Sequence, residues 1–165
     1  MKSYASPQEL SMKRSIFSLP FILWALVASA APPVDFSGAW SLNASKSQNL
    51  GMMARMEYSL VITQNPTALV VKDRTKMMGE PQTHETQYAL NGTSTANVNF
   101  MGDKAQTVTR WDGARLVTTW TSSGAVAGTT MVRTETRALS PDGKTMTVES
   151  TNGAKPPIVF VFDRK

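Results

Sequence analysis

From Glu57 to the end of the chain, apolar and polar residues alternate with a period of two. In Glu57–Gln64, Tyr58, Leu60 and Ile62 fall on one face, and Glu57, Ser59 and Thr63 on the other. That pattern describes a strand with one buried and one wetted face. The same reading predicts strands over Asp35–Leu42, Ala68–Arg74, Thr83–Leu90, Thr95–Phe100, Gln106–Trp111, Arg115–Thr121, Thr129–Leu139, Thr145–Thr151 and Ile158–Asp163. Leu50–Met56 is the one stretch beyond the N-terminal region that suits a helical turn or two. Polar segments at Asn43–Ser47, Asn65-Pro66-Thr67 and Lys76–Pro81 read as turns and loops.

Three junctions carry the strongest local signal: Asn91-Gly92, Asp112-Gly113 and Asp142-Gly143, each set between runs rich in apolar and β-branched residues. Glycine takes the positive φ of a tight hairpin, and Asn or Asp tolerates it alongside. Hairpins in series make an antiparallel meander. The three glycines are unevenly spaced, so no repeat is inferred. A meander of this length must cover its edges or eliminate them, and closure into a barrel eliminates them. The expected fold is all-β, an up-and-down antiparallel barrel of about eight to ten strands, with a two-sheet sandwich as the alternative.

On the first strand, Gly38 stands two residues before Trp40. A glycine there lets another group lie close over the strand, and the indole anchors a core. Gly38-x-Trp40 resembles the G-x-W motif of the lipocalins and the wider calycin superfamily. The layout is also similar to small exported bacterial β-barrel proteins of unassigned role. The residues that carry this second likeness are Asp35–Asn43, Lys46-Ser47, Trp111-Asp112-Gly113, Leu116-Val117, Leu139–Thr145 and Val161–Arg164. The resemblance implies a basic residue packed across the Trp, with Arg164 at the matching position and Lys165 second. It also implies a carrier-like cavity with no specified ligand. The Thr-Asp-Tyr motif and the disulfides of many lipocalins are absent.

The first thirty residues read separately from the rest. Met12-Lys13-Arg14 is a basic head, Ile16–Val27 an apolar run, and Ala28-Ser29-Ala30 an A-x-A cleavage pattern. Together they form the three-part secretory signature. The apolar run of about 12 residues falls short of the roughly 20 that span a bilayer. The expected organisation is a signal peptide over 1–30, with Met12 the better initiator and 1–11 an over-extended start, then a single barrel domain over 31–165. A soluble periplasmic or secreted product follows, with no stable membrane anchor.

The chain carries 17 Lys and Arg against 12 Asp and Glu. Lys2, Lys13 and Arg14 would leave with the signal peptide, and the remaining basic residues are scattered, which argues against nucleic acid as a partner. There is no Cys, so no disulfide supports an exported chain.

Little in the sequence points to catalysis or to a cofactor. His84 is the only His, and a zinc site needs about three protein ligands, usually including His or Cys. His84 therefore reads as a satisfied or exposed strand residue. No Gly-x-Ser-x-Gly stretch or phosphate loop occurs, and Ser122-Ser123-Gly124 reads as a hairpin turn. Glu85, Asp103, Glu135 and Glu149 offer carboxylates, with nothing in their spacing to select a pair. A non-enzyme without metal or cofactor is expected.

The candidate ligand-binding residues are Tyr58, Tyr88, Phe100, Trp111, Trp120 and Arg133. The aromatics either fill the barrel or flank a hydrophobic pocket. If Leu139 points inward, strict alternation sends Arg133, Glu135 and Arg137 inward as well. The cost of burying charge points instead to a bulge or an outward face. The alternative is that Arg133 or Arg137 meets a ligand carboxylate inside. The leading reading is a barrel that binds a small hydrophobic or amphipathic molecule. Its rival is an envelope interaction module with a filled barrel, and a cavity of several hundred Å³ would separate the two.

Overall fold

The computed structural model describes residues 34–99 and 102–165, so the signal-peptide reading and Phe100 lie outside the described residues. Within them the alternating segments form ten strands: β1 (Gly38–Leu42), β2 (Glu57–Gln64), β3 (Ala68–Lys76), β4 (Gln82–Ala89), β5 (Ser94–Val98), β6 (Lys104–Asp112), β7 (Arg115–Ser123), β8 (Thr130–Leu139), β9 (Thr145–Thr151) and β10 (Ile158–Arg164). All belong to one sheet in the order β4-β3-β2-β1-β10-β9-β8-β7-β6-β5. Every sequential pair except β4–β5 is antiparallel, and β1 pairs with β10 through Trp40↔Arg164 and Leu42↔Phe162. The result is an all-β, nearly closed antiparallel barrel. Gly92, Gly113 and Gly143 turn their hairpins at φ of 82°, 59° and 68°.

Closure is incomplete between β4 and β5, which lie side by side without a strand ladder. One side chain bridges this seam. Gln87 N–H donates to Asn97 Oδ1 at 3.1 Å, and Asn97 Nδ2 donates to the Gln87 carbonyl at 2.8 Å. The Asn97 amide thus stands in for a neighbouring peptide group and satisfies an edge that would otherwise be open.

Several boundaries differ from the alternation pattern for local reasons. The first strand starts at Gly38 because residues 34–37 fold under the barrel, held by Gln64: its side chain accepts from Phe36 N–H (3.1 Å) and donates to the Val34 carbonyl (2.8 Å). β5 stops at Val98 because Asn99 turns the chain with Asp103. β7 runs through Ser122 and Ser123, so the turn expected there falls later, closed by Gly124 N–H to the Thr129 carbonyl. The helical stretch is a short 3-10 helix, Gly51–Arg55, with no buried residue.

The expected bulge or outward face of β8 is corrected. Its register against β7 is unbroken from Ser123↔Thr130 to Leu116↔Arg137, so Arg133, Glu135 and Arg137 share the inner face with Leu139. Opposite them stand Trp120, Thr118 and Leu116, all buried and inward.

The antiparallel weave gives the barrel two different ends. At the lower end lie the short turns after β2, β4, β6 and β8, with residues 34–37 across them. At the upper end lie the 43–56 segment and the loops after β3, β5, β7 and β9. The lower half is packed apolar: Phe36, Trp40, Leu69, Leu116 and Met146 are fully buried. Trp40 Nε1 donates to the Phe36 carbonyl at 3.0 Å. The Arg164 guanidinium lies 4.2 Å from the Trp40 ring centroid and donates to the carbonyls of Ser37 (2.7 Å) and Gly143 (2.9 Å). The basic residue expected over the Trp is therefore in place. Gly38 makes room for it, since a Cβ there would stand 2.6 Å from Arg164 Nη1.

Candidate functional site in the barrel interior

Alternation brings side chains of five strands into the interior, from Tyr88 and Arg137 at the level of Leu69 and Leu116 up to Asp73, His84 and Arg133. β2 supplies Tyr58, β3 Asp73, and β4 His84, Thr86 and Tyr88. β7 supplies Trp120, and β8 Arg133, Glu135 and Arg137. Exposure rises along β8 from the packed half toward the upper end. Arg137 is 5 % exposed, and the side chains of Glu135 and Arg133 are 14 % and 24 % exposed. Burial is therefore complete at the lower end and eases toward the upper end.

These groups pack as two walls. On one, Arg133 pairs with Glu135 at 3.1 Å and lies over the Trp120 ring at 4.8 Å. Trp120 meets Tyr88 edge-on at 5.9 Å, and the Arg137 guanidinium sits 5.6 Å from the Tyr88 ring centroid. These cation–π contacts partly offset the burial that the charge argument counted against an inward β8. On the other wall Asp73 faces His84 across the β3–β4 ladder, with Oδ2 to Nδ1 at 3.6 Å. Thr86 Oγ1 lies 3.4 Å from the same nitrogen. Tyr58 packs edge-on against Phe160 and Phe162 at 6.1 and 5.4 Å.

Burial decides the protonation behaviour. It pushes the Tyr58 and Tyr88 phenols above their ordinary range. It also raises Asp73, against the opposing pull of His84, so this carboxylate is poorly compensated where it stands. Two buried donors have no acceptor among the described residues: Trp120 Nε1 and Arg137 Nε. An unsatisfied buried donor costs about 1–3 kcal/mol, more when charged, so both are groups that an acceptor would stabilise. Arg137 also has no ion-pair partner within 4.0 Å among the described residues.

Of the candidates from the sequence, Tyr88, Trp120 and Arg133 come together, with Tyr58 on the facing wall. Trp111 does not join them. It stacks on Phe36 at 6.1 Å at the lower end, beside a 370 Å³ outer recess bordered by Asp35, Gln64, Pro66 and Leu90. The carboxylates do not form a pair: Glu85 faces outward to Lys72 at 3.2 Å, while Glu135 is committed to Arg133. A larger open recess of 790 Å³ follows the β4–β5 seam, lined by Glu85, Asn97, Val98, Lys104 and Gln106 among others. Asp73 and His84 were not among the candidates, while Arg137 stood beside Arg133 as the alternative partner for a ligand carboxylate. Their inward parity was readable, Asp73 following Leu69 and Val71, but only the β3–β4 register brings Asp73 to His84.

No family model matches the chain. No curated protein matches it either. Solved structures do. The REP1-NXSQ fatty acid transporter superposes with a TM-score of 0.60 at 14 % identity, over 78 % of this chain and 95 % of that one. Human cRBP IV superposes with a TM-score of 0.60 at 19 % identity, over 81 % of this chain and all of that one. At such identities the likeness is one of fold, and it agrees with the calycin-like barrel that the G-x-W motif implied.

Proposed function

We propose that this barrel binds a small amphipathic molecule bearing an acidic group, which enters head first through the upper end. The observation that carries the reading is the pair of buried donors without acceptors, Arg137 Nε and Trp120 Nε1, on one wall of the polar interior. A carboxylate accepts from a guanidinium or from an indole N–H, and charge-assisted bonds to the guanidinium are the strong ones. Apolar lining comes from Tyr58, Tyr88, Trp120 and Phe160. The packed lower half leaves the upper interior as the place for a ligand, and the name of the similar fatty acid transporter supports the same class.

Titration of the full chain with a panel of fatty and aromatic acids should change Trp fluorescence with saturation. Trp120→Phe should remove most of that change, and Arg137→Gln should weaken binding by about tenfold or more. A flat titration across the panel would discard the reading.

The same proposal includes export, supported by the basic head, apolar run and Ala28-Ser29-Ala30. N-terminal sequencing of protein from its own host should find Ala31 first. Cytoplasmic protein beginning at Met1 or Met12 would overturn it.

A further inference from the structure

The donors on the Arg137 wall ask for an acceptor, and the facing wall asks for the opposite. Asp73 points inward with its side chain 17 % exposed, and its one ion-pairing partner within 4.0 Å among the described residues is His84, at 3.6 Å. That separation is longer than a good hydrogen bond, and Thr86 competes for the same imidazole nitrogen. Asp73 has His84 beside it, through imidazole and backbone, and keeps acceptor sites to spare, while Arg137 and Trp120 each carry a donor short of an acceptor among the described residues.

The ladder fixes how far apart the two poles stand. Arg137 lies against Tyr88, and Asp73 against His84. Tyr88 and His84 are four residues apart on the same inner face of β4, a separation of roughly 13 Å at the rise of a β-strand. The two poles therefore stand on the order of 10 Å apart, within the reach of their side chains about that strand separation. Between the poles lie Thr86 and the rings of Tyr58 and Trp120. A short apolar spacer suits that stretch, whereas water or a second charge would face aromatic surface.

We infer that the ligand is bipolar: a carboxylate held at Arg137 and Trp120, and an ammonium or hydroxyl donor about 10 Å away held at Asp73 and His84, joined by a medium-length apolar chain. This rests on the acidic-ligand reading above and narrows it. Asp73 becomes a specificity-determining residue, because it distinguishes a bipolar acid from a plain one of equal length.

The test compares two ligand series on the full chain by isothermal calorimetry: hexanoic, octanoic and dodecanoic acids, and the ω-amino acid of each length. The ω-aminooctanoic acid should bind at least about tenfold more tightly than octanoic acid, the worth of one charge-assisted hydrogen bond. The advantage should shrink at the shorter and longer lengths. In Asp73→Asn the ratio between the affinities of the two octanoic ligands should fall to about one. Should that variant fail to fold, His84→Asn should reduce the same ratio. Plain acids binding as well as their ω-amino partners at every length would overturn the bipolar ligand and leave the acidic-ligand reading standing. An advantage that survives Asp73→Asn would overturn the assignment to Asp73. Binding by neither series would remove both readings.

Discussion

The two ends of this barrel are built from the same alternating strands and treat their polar groups in opposite ways. At the lower end each charge or donor brought inward is answered. Trp40 Nε1 has the Phe36 carbonyl, Gln64 bonds the chain at Phe36 and Val34, and Arg164 spends its guanidinium on the Trp40 face and two carbonyls. Above that floor Trp120 and Arg137 carry buried N–H groups without acceptors among the described residues, and Asp73 is met by His84 alone, through its imidazole and its backbone. The loops follow suit. Large exposed apolar side chains gather at the upper end, with Met52, Met78 and Val126 at 77 %, 89 % and 67 % exposure, while the lower turns are Asn, Asp, Gly, Ser and Pro. One end maximises stability, and the other keeps unsatisfied groups that a bound molecule can complete.

If that division is right, the largest stability effect belongs to the lower end. Trp40→Ala should cost about 3–5 kcal/mol, as for a fully buried large aromatic. Chemical denaturation measures it, and an unmoved midpoint would break the comparison at its base. Gly38→Ala comes next. Its φ of +132° disfavours any side chain, and the new Cβ would displace the Arg164 guanidinium. About 1–3 kcal/mol is expected from the backbone alone. Arg164→Ala should cost on the order of 1 kcal/mol. The Gly38→Ala, Arg164→Ala double variant should lose less than the sum, because both changes remove the same contact.

The upper interior should answer with the opposite sign. Arg137→Met replaces a buried charge without a counterion by an apolar group of similar length. It should stabilise the ligand-free protein by on the order of 1–2 kcal/mol. The same variant should abolish binding of acidic ligands. Thermal melting and titration on one preparation measure both, and a variant that lost stability would show that Arg137 is structural.

The contrast also explains which parts were legible in the sequence. The Asn-Gly and Asp-Gly pairs state where hairpins turn, and Gly38, Trp40 and Arg164 state how the two chain ends meet. Each is a local requirement that few residue types satisfy, so the pattern led to an all-β barrel of about eight to ten strands, of which the structure has ten. The inward course of β8 was not legible. The cost of burying Arg133, Glu135 and Arg137 argued for a bulge, and that cost is offset by partners on other strands: the faces of Trp120 and Tyr88, and the Arg133–Glu135 pair that β8 makes within itself. The partner of His84 was not legible either, since Asp73 lies 11 residues away and is aligned only by the β3–β4 ladder. Trp111 was misplaced because an aromatic at a strand's end closes a barrel as readily as it lines one.

The smallest expected effect separates the ends by pH. At the lower end Asp35 is held below its ordinary value by the Ser37 hydroxyl and backbone N–H. Its contribution to stability is present above the unfolded pKa and is lost as pH falls through the lower folded pKa. Burial makes Asp73 behave inversely, because its folded pKa is raised. The folded protein then holds that proton more tightly than the unfolded chain does. The group favours folding when protonated, and the advantage fades as pH climbs from the unfolded pKa to the raised folded one. Above both it is a fixed cost. Asp73→Asn mimics the protonated form, so it should match wild type in acid and melt about 1–3 °C higher at neutral pH. Asp35→Asn should instead match wild type in acid and melt slightly lower at neutral pH. A bound ω-amino acid, by supplying Asp73 with a cation, should erase the neutral-pH gain of Asp73→Asn and leave the Asp35 comparison unchanged. If the ligand shifted both pairs alike, the interior would be responding as a whole, and the separation of a closed end from an open one would fail.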